Sequence, residues 1–114
     1  MAINSAFQPM GKTFRLDATA NLAQLSINSD STVCNYFLHN TQGTADVFVR
    51  ISQSSTANVA VPNNASGAYG FVVHGASYCV ITGPPVGPNA NVFVTVIAPT
   101  GTPTLYITPG EGIL

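Results

Sequence analysis

The sequence has 114 residues and a mass of 11.8 kDa, the size of one domain. Only 6% of the residues are charged, where about 25% is typical of globular proteins, and the formal net charge is −1. With three basic residues and no basic run, the chain lacks the electrostatic footprint of a nucleic-acid-binding protein.

The shortage of charged residues indicates how the protein surface is used. Folded surface scales with mass, and the scaling gives about 5,900 Å² for this chain, or roughly one charge per 800 Å². That area is about one partner's share of a standard protein–protein interface. The composition therefore favours a protein that works inside an assembly. The alternative is a free protein whose surface is covered by Asn, Thr, Ser and Gln.

The start of the chain and the cysteines indicate the compartment. The opening MAINSAFQPMGK shows no basic segment followed by an apolar stretch, so we expect no secretory signal. The longest apolar segment, Val92–Ala98, is strand-length and too short to cross a bilayer. We expect synthesis in a cytoplasm, no membrane partner, and free thiols in the core at Cys34 and Cys79. A disulfide formed after release from the cell is the alternative.

Short β-branched and aromatic runs, separated by Gly, Pro, Asn and Ser, predict an all-β fold. We expect a small antiparallel β-sandwich or barrel, jelly-roll or Ig-like, with about eight short strands and extended terminal segments. In chain order the predicted strands are Thr13–Asp17, Leu22–Asn28, Val33–Asn40, Asp46–Gln53, Ala57–Val61, Gly70–His74, Ser77–Thr82 taken together with Asn91–Ala98, and Thr104–Thr108.

The connections between these strands carry turn signals. Thr41–Ala45 (TQGTA) predicts a hairpin loop. Thr82–Asn89, with three prolines, predicts a surface loop, because proline cannot pair in the centre of a sheet. Pro109-Gly110 predicts a turn that ends the last strand. The chain is thereby divided into an N-terminal arm (1–12), a β-sandwich domain (13–108) and a C-terminal tail (109–114).

Two predicted strands are apolar on both faces. In Asp46–Gln53, Val47 and Val49 alternate with Phe48 and Arg50, and Asn91–Ala98 shows a similar alternation around Phe93. In so small a domain, the second apolar face favours contact with another subunit.

A weak internal repeat links the same strands. Cys34 precedes the VFV of Val47–Val49 by 13 positions (34 to 47), and Cys79 precedes the VFV of Val92–Val94 by the same interval (79 to 92). Either the chain contains two similar hairpins with their cysteines in corresponding places, or the match is chance.

No grouping of residues points to catalysis or to a bound ion. The histidines, carboxylates and cysteines show no suggestive spacing, there is no G-x-S-x-G elbow, and no cluster has metal-ligand spacing. We therefore expect no enzyme activity, no cofactor and no metal. Carbohydrate binding is the stronger alternative class, and Tyr69, in the loop SGAYG, is the tyrosine expected to be exposed.

Three stretches of the chain carry a resemblance to a known group. They are AFQPMGKTFRL with Gly11-Lys12-Thr13, NYFLHNTQGTADVFVRIS with Asn40–Ile51, and TLYITPGEGIL with Leu105–Gly112. Together they resemble small virion structural proteins of tailed bacteriophages. The resemblance implies a capsid decoration (cement) protein, made in the bacterial host cytoplasm and bound to the outer capsid surface. Its implied partners are the major capsid protein and itself, as a homodimer or homotrimer.

Under this hypothesis both ends of the chain and the second apolar strand face make contacts with other subunits, and Arg50 and Asp46 lie at an interface rim or in an intersubunit pair. Frayed termini are the alternative for both ends. The predicted interface residues are Phe7, Met10, Lys12, Phe48, Arg50, Phe93, Ile113 and Leu114. A head-fibre, tail-associated or receptor- or carbohydrate-binding β-sandwich module is the alternative function.

Overall fold

Nine strands build the part of the chain that the computed structural model describes, residues 6–62 and 64–112. They are β1 (Gln8–Pro9), β2 (Phe14–Asp17), β3 (Ala23–Ile27), β4 (Val33–Asn40), β5 (Val47–Ser52), β6 (Phe71–Val73), β7 (Ser77–Val86), β8 (Val92–Ile97) and β9 (Thr104–Glu111). No helix among these residues is long and apolar enough to span a membrane.

The strands form two antiparallel sheets with the order of a jelly roll. Sheet A runs β2–β9–β4–β7, with β1 also on β9, and sheet B runs β3–β8–β5–β6. The strands from β2 to β5 pair one by one with those from β9 back to β6, like the arms of one long hairpin. Folding that hairpin over two sheets gives the jelly roll. The predicted all-β sandwich is confirmed.

The core lies between the sheets and follows from the period-2 alternation of the strands. Sheet B contributes valines such as Val49 and Val94, and sheet A contributes Tyr36, Leu38 and Ile107, all fully buried. The alternate residues of the same strands point away from the core, so each sheet has an outer face.

The connection between β4 and β5 crosses from sheet A to sheet B, so the predicted hairpin at Thr41–Ala45 is wrong. Asn40, at the end of β4, is fully buried. Its Nδ2 donates to the carbonyls of Ala45 (2.8 Å) and Val73 (3.1 Å), and its Oδ1 accepts from the Gln42 amide (3.0 Å). The side chain thus satisfies the backbone of the crossing and ties it to β6.

Strand β7 continues through the prolines that predicted a surface loop at Thr82–Asn89, so that prediction is wrong for residues up to Val86. Because β7 is an edge strand, one of the two adjacent prolines can point its missing N–H away from the sheet; the other lies where the pairing with β4 is irregular. The register with β4 also shifts between Val33 and Asn35. The Tyr36 hydroxyl donates to the Pro84 carbonyl, and burial, followed by the nearby Cys34, raises the pKa of Tyr36.

Strand β9 continues through Pro109 and Gly110 to Glu111, so the predicted turn is wrong. Pro109 lies opposite Tyr36 of β4, and its carbonyl accepts from the Met10 amide on the other side (2.9 Å). The N and O of a strand residue point to the same side in an antiparallel pair. The absent N–H of Pro109 therefore faces the interruption between β1 and β2.

Three further expectations change. The segment predicted as strand Ala57–Val61 lies in the connection between β5 and β6, where Val59 is buried without pairing as a strand. The repeated units run from β4 to β5 and from β7 to β8, so they cross between sheets and are not hairpins. Of the two free cysteines, Cys79 is half-buried but Cys34 is exposed, because the register shift turns it outward.

Candidate functional site

The outer face of sheet A presents aromatic side chains to solvent. In β4, Tyr36 and Leu38 point into the core, so Phe37 and His39 point outward. The register places His39 between Tyr78 of β7 and Tyr106 of β9. Directly opposed residues of an antiparallel pair lie on the same face, so these residues form a row across three strands.

Ring contacts link four aromatic side chains on this face. Phe37 lies 5.7 Å from Tyr78 between ring centroids, with the planes only 10° apart, and 5.6 Å from Phe7. His39 meets Tyr78 edge-on at 6.2 Å. We call the set Phe7, Phe37, His39, Tyr78 and Tyr106 the aromatic face. Tyr78 is 60% exposed, which is unusual for a large ring whose burial is favourable.

Phe7 reaches this face because β1 pairs with the end of β9. Pro9 lies opposite Gly110, and Phe7 packs over that glycine. A Cβ at position 110 would lie 2.5 Å from Phe7 Cζ and 2.2 Å from the Gln8 carbonyl oxygen. Glycine at this position therefore creates the space for the ring.

The charged side chains on β2, at the rim of the aromatic face, neutralise each other. Arg15 lies opposite Tyr106, and its Nε donates to Asp17 Oδ1 at 3.1 Å. The Thr104 hydroxyl donates to the same carboxylate at 2.9 Å. These hydrogen bonds, led by the one from Arg15, lower the pKa of Asp17, and the hydrogen bond to Asp17 raises the pKa of Arg15. The pair is exposed, so it sets orientation more than stability.

The outer face of sheet B holds three of the predicted interface residues. Phe48 lies between Ile97 and Val72, and Phe93 lies between Ser26 and Ser52; both phenylalanines are half-buried. The row formed by Ile97, Phe48 and Val72 is apolar. The rings of Phe48 and Phe93 are less exposed than the ring of Tyr78.

Arg50, also on the outer side of sheet B, holds the long connection between β5 and β6. Its Nη1 donates to the Asn58 carbonyl at 3.1 Å, and its guanidinium carbon lies 4.4 Å from the Tyr69 ring centroid. The Asp46 carboxylate accepts a hydrogen bond from the Gly75 amide, and its Oδ1 lies 3.4 Å from His74 Nδ1. Tyr69 is 68% exposed, as expected, but one face of its ring is covered by Arg50.

The remaining predicted interface residues do not form one surface. Met10 is half-buried and packs on the core, whereas Lys12 is exposed. Ile113 and Leu114 lie outside the described residues. The structure therefore brings Phe7 to the aromatic face, and puts Phe48, Arg50 and Phe93 on the opposite side of the sandwich.

A second feature of the molecule is a small cleft beside Cys34. Its volume is about 180 Å³, and it is lined by Thr32, Val33, Asn35, Pro85 and Glu111 among others. Among residues 6–62 and 64–112, no three His, Cys, Asp or Glu side chains come close enough to hold a metal ion.

Sequence reasoning missed Phe37, His39, Tyr78 and Tyr106. The alternation in NYFLHN could have assigned Phe37 and His39 to one face, but the sequence does not show that β7 and β9 flank β4. That pairing joins residues far apart in the chain, such as His39 and Tyr106.

Comparison with known proteins gives no relative of this chain. No family model, no curated protein and no solved structure matches it.

Proposed function

We propose that the chain is a structural protein of a tailed-bacteriophage virion that decorates the outer surface of the capsid, using the aromatic face to dock. The observation that carries this proposal is the cluster of rings around the exposed Tyr78, on a sheet face where the neighbouring charges Arg15 and Asp17 pair with each other. Aromatic residues and a shortage of charge distinguish the centre of protein interfaces.

The fold and the composition support the same proposal. Jelly rolls recur in capsid components, but they also occur in lectins, so the fold argues by analogy alone. The low charge of the whole chain gives independent support, since a protein that is free in solution usually carries more. The choice of a phage capsid as the assembly rests on the resemblance of the three sequence stretches to virion structural proteins of tailed bacteriophages.

The proposed action is mechanical. A shell that holds packaged DNA fails where its capsomers separate, and a protein that bridges two capsomers adds contact area at that point. A standard contact buries about 800 Å² per partner. Many copies acting together convert modest individual affinities into durable attachment.

Rebinding to particles that lack the protein tests the proposal. Tyr78→Ala removes the most exposed ring of the aromatic face, and we expect it to weaken binding about tenfold or more. Tyr69→Ala is the matched control, because that side chain is exposed to a similar extent but lies on the other side of the sandwich. Unchanged binding of the Tyr78 variant, or loss of binding in the Tyr69 variant, would exclude the aromatic face as the docking site.

Carbohydrate binding, as part of a fibre or tail, is the second candidate function. The nearly parallel rings of Phe37 and Tyr78 form a stacking surface, and Asn35 and Thr82 provide hydrogen-bonding groups on neighbouring positions of the same face. A glycan array with wild type and Tyr78→Ala tests it. Binding that disappears with Tyr78 while particles are not recognised would favour this candidate.

A further inference from the structure

The four sheet edges of the sandwich are protected to different extents. Natural proteins blunt exposed edges with prolines, charges, interruptions or short strands, because an open edge pairs with other chains. In sheet A, β7 contains Pro84 and Pro85, and the opposite edge is broken between β1 and β2, with Arg15 and Asp17 on the latter. In sheet B, β6 is only three residues long.

Strand β3 has none of these devices. Its sequence, AQLSI, contains no charge and no proline, and its register with β8 runs over five residue pairs without a shift. Within the described part of the chain, the backbone of β3 makes hydrogen bonds only to β8. Leu22, directly before it, is 52% exposed. An uninterrupted, uncharged edge of this kind is a template for a further strand.

We propose that β3 pairs with β3 of a second copy of this chain, antiparallel, about a two-fold axis at Leu25. In that register Leu25 meets Leu25 of the second copy, Ala23 meets Ile27, and Gln24 meets Ser26. Ala23, Leu25 and Ile27 all face the core side in each copy, and Gln24 and Ser26 face outward. The strand is therefore complementary to itself: apolar residues meet apolar ones, polar residues meet polar ones, and no like charges oppose each other.

The pairing would join the two four-stranded copies of sheet B into one continuous sheet. The axis relating two antiparallel neighbours in a sheet is perpendicular to the sheet. Both copies therefore present the outer face of sheet A to the same side. The dimer would offer two aromatic faces to one surface, which deepens the proposed function by making docking bivalent. The strand pairing itself does not depend on that function.

Sedimentation of wild type and two double variants tests this pairing and its register. Gln24→Lys/Ser26→Lys places Lys opposite Lys in both cross-copy pairs, whereas Gln24→Lys/Ser26→Glu places Lys opposite Glu. Both variants lose the same side-chain hydrogen bonds, from Gln24 to Thr95 and from Asn91 to Ser26. We expect wild type to be a dimer, the Lys/Lys variant to dissociate about tenfold or more readily, and the Lys/Glu variant to remain a dimer. Thermal unfolding of each variant controls for loss of the fold.

Several results would overturn the proposal. They are a wild-type monomer at every soluble concentration, a trimer, a Lys/Lys dimer as tight as wild type, or a monomer that instead takes up an extended peptide of another protein. Particle rebinding separates this proposal from the proposed function. A β3 dimer that ignores particles leaves the pairing standing and removes the function. A monomer that binds particles does the reverse.

Discussion

Asn40 shows at the residue scale how a buried polar side chain determines a connection. Its three hydrogen bonds satisfy the Ala45 and Val73 carbonyls and the Gln42 amide where the chain crosses between the sheets. A buried carbonyl without a partner costs far more than one exposed to water. The residue therefore stabilises the crossing from β4 into the other sheet.

Replacing Asn40 by Ala should lower the free energy of unfolding by about 3 kcal/mol, because three hydrogen bonds are lost. Urea denaturation measures the change. Asn35→Ala is the matched control. Asn35 also hydrogen-bonds, to Gly112 and Thr82, but at a more accessible site, so a loss of about 1 kcal/mol or less is expected there. Equal losses in the two variants would contradict the role of Asn40.

The two thiols should differ in reactivity. Burial raises the pKa of Cys79, which keeps its thiol neutral to higher pH in the folded protein than in the unfolded chain. Cys34 is exposed beside the cleft. We expect a thiol-directed reagent to modify Cys34 faster than Cys79 at neutral pH. The modification rate of Cys79 should approach that of Cys34 only as the pH rises through the raised pKa of Cys79. Mass spectrometry of the intact protein, with Cys34→Ser and Cys79→Ser as controls, measures both rates; equal rates at neutral pH would argue against this assignment.

At the scale of the elements, local sequence patterns predict where the strands lie better than they predict which strands pair with each other. Strand β4 was predicted with its observed bounds, Val33–Asn40, since alternation is a local property of the sequence. The partners of a jelly roll are set by contacts between distant segments, such as Phe14 with Ile107. Nothing local in TQGTA distinguishes a hairpin from a crossing between sheets.

The same reason explains why β7 and β9 continue through prolines that were expected to end them. Whether a proline is tolerated depends on which side of the strand lacks a partner, and that is a property of the assembled sheet. β7 is an edge, and β9 faces an interruption at Pro109. The aromatic face was missed for a related reason, because it is assembled from three strands and an arm.

The connection between β5 and β6 depends on Arg50. Arg50→Ala removes the hydrogen bond to Asn58 and the stacking on Tyr69, and we expect faster hydrogen exchange and protease cleavage over residues 53–70. The loss in global stability should be modest, about 1–2 kcal/mol. Arg15→Ala, an exposed cation of sheet A, is the control and should leave the loop protected. An unchanged exchange pattern in the Arg50 variant would show that the loop is held by other contacts, such as those of Val59.

At the scale of the whole molecule, the two sheets carry different parts of the proposed function. Sheet A carries the aromatic face, and sheet B carries the unprotected edge at β3 and a more covered apolar face around Phe48. At the rim of the aromatic face Arg15 pairs with Asp17, and on sheet B Arg50 is turned to its own loop. A surface arranged in this way is suited to a partner on one side and a second copy at the edge.

Under the proposed function, the aromatic face rests on a capsid. A reconstruction by cryo-electron microscopy of the phage particles that the proposed function assigns to the chain tests this contact. We expect jelly-roll density in high copy number on the outer shell, with Tyr78 and Phe37 buried against capsid protein. Particles without this density, or density whose sheet A faces solvent, would contradict it.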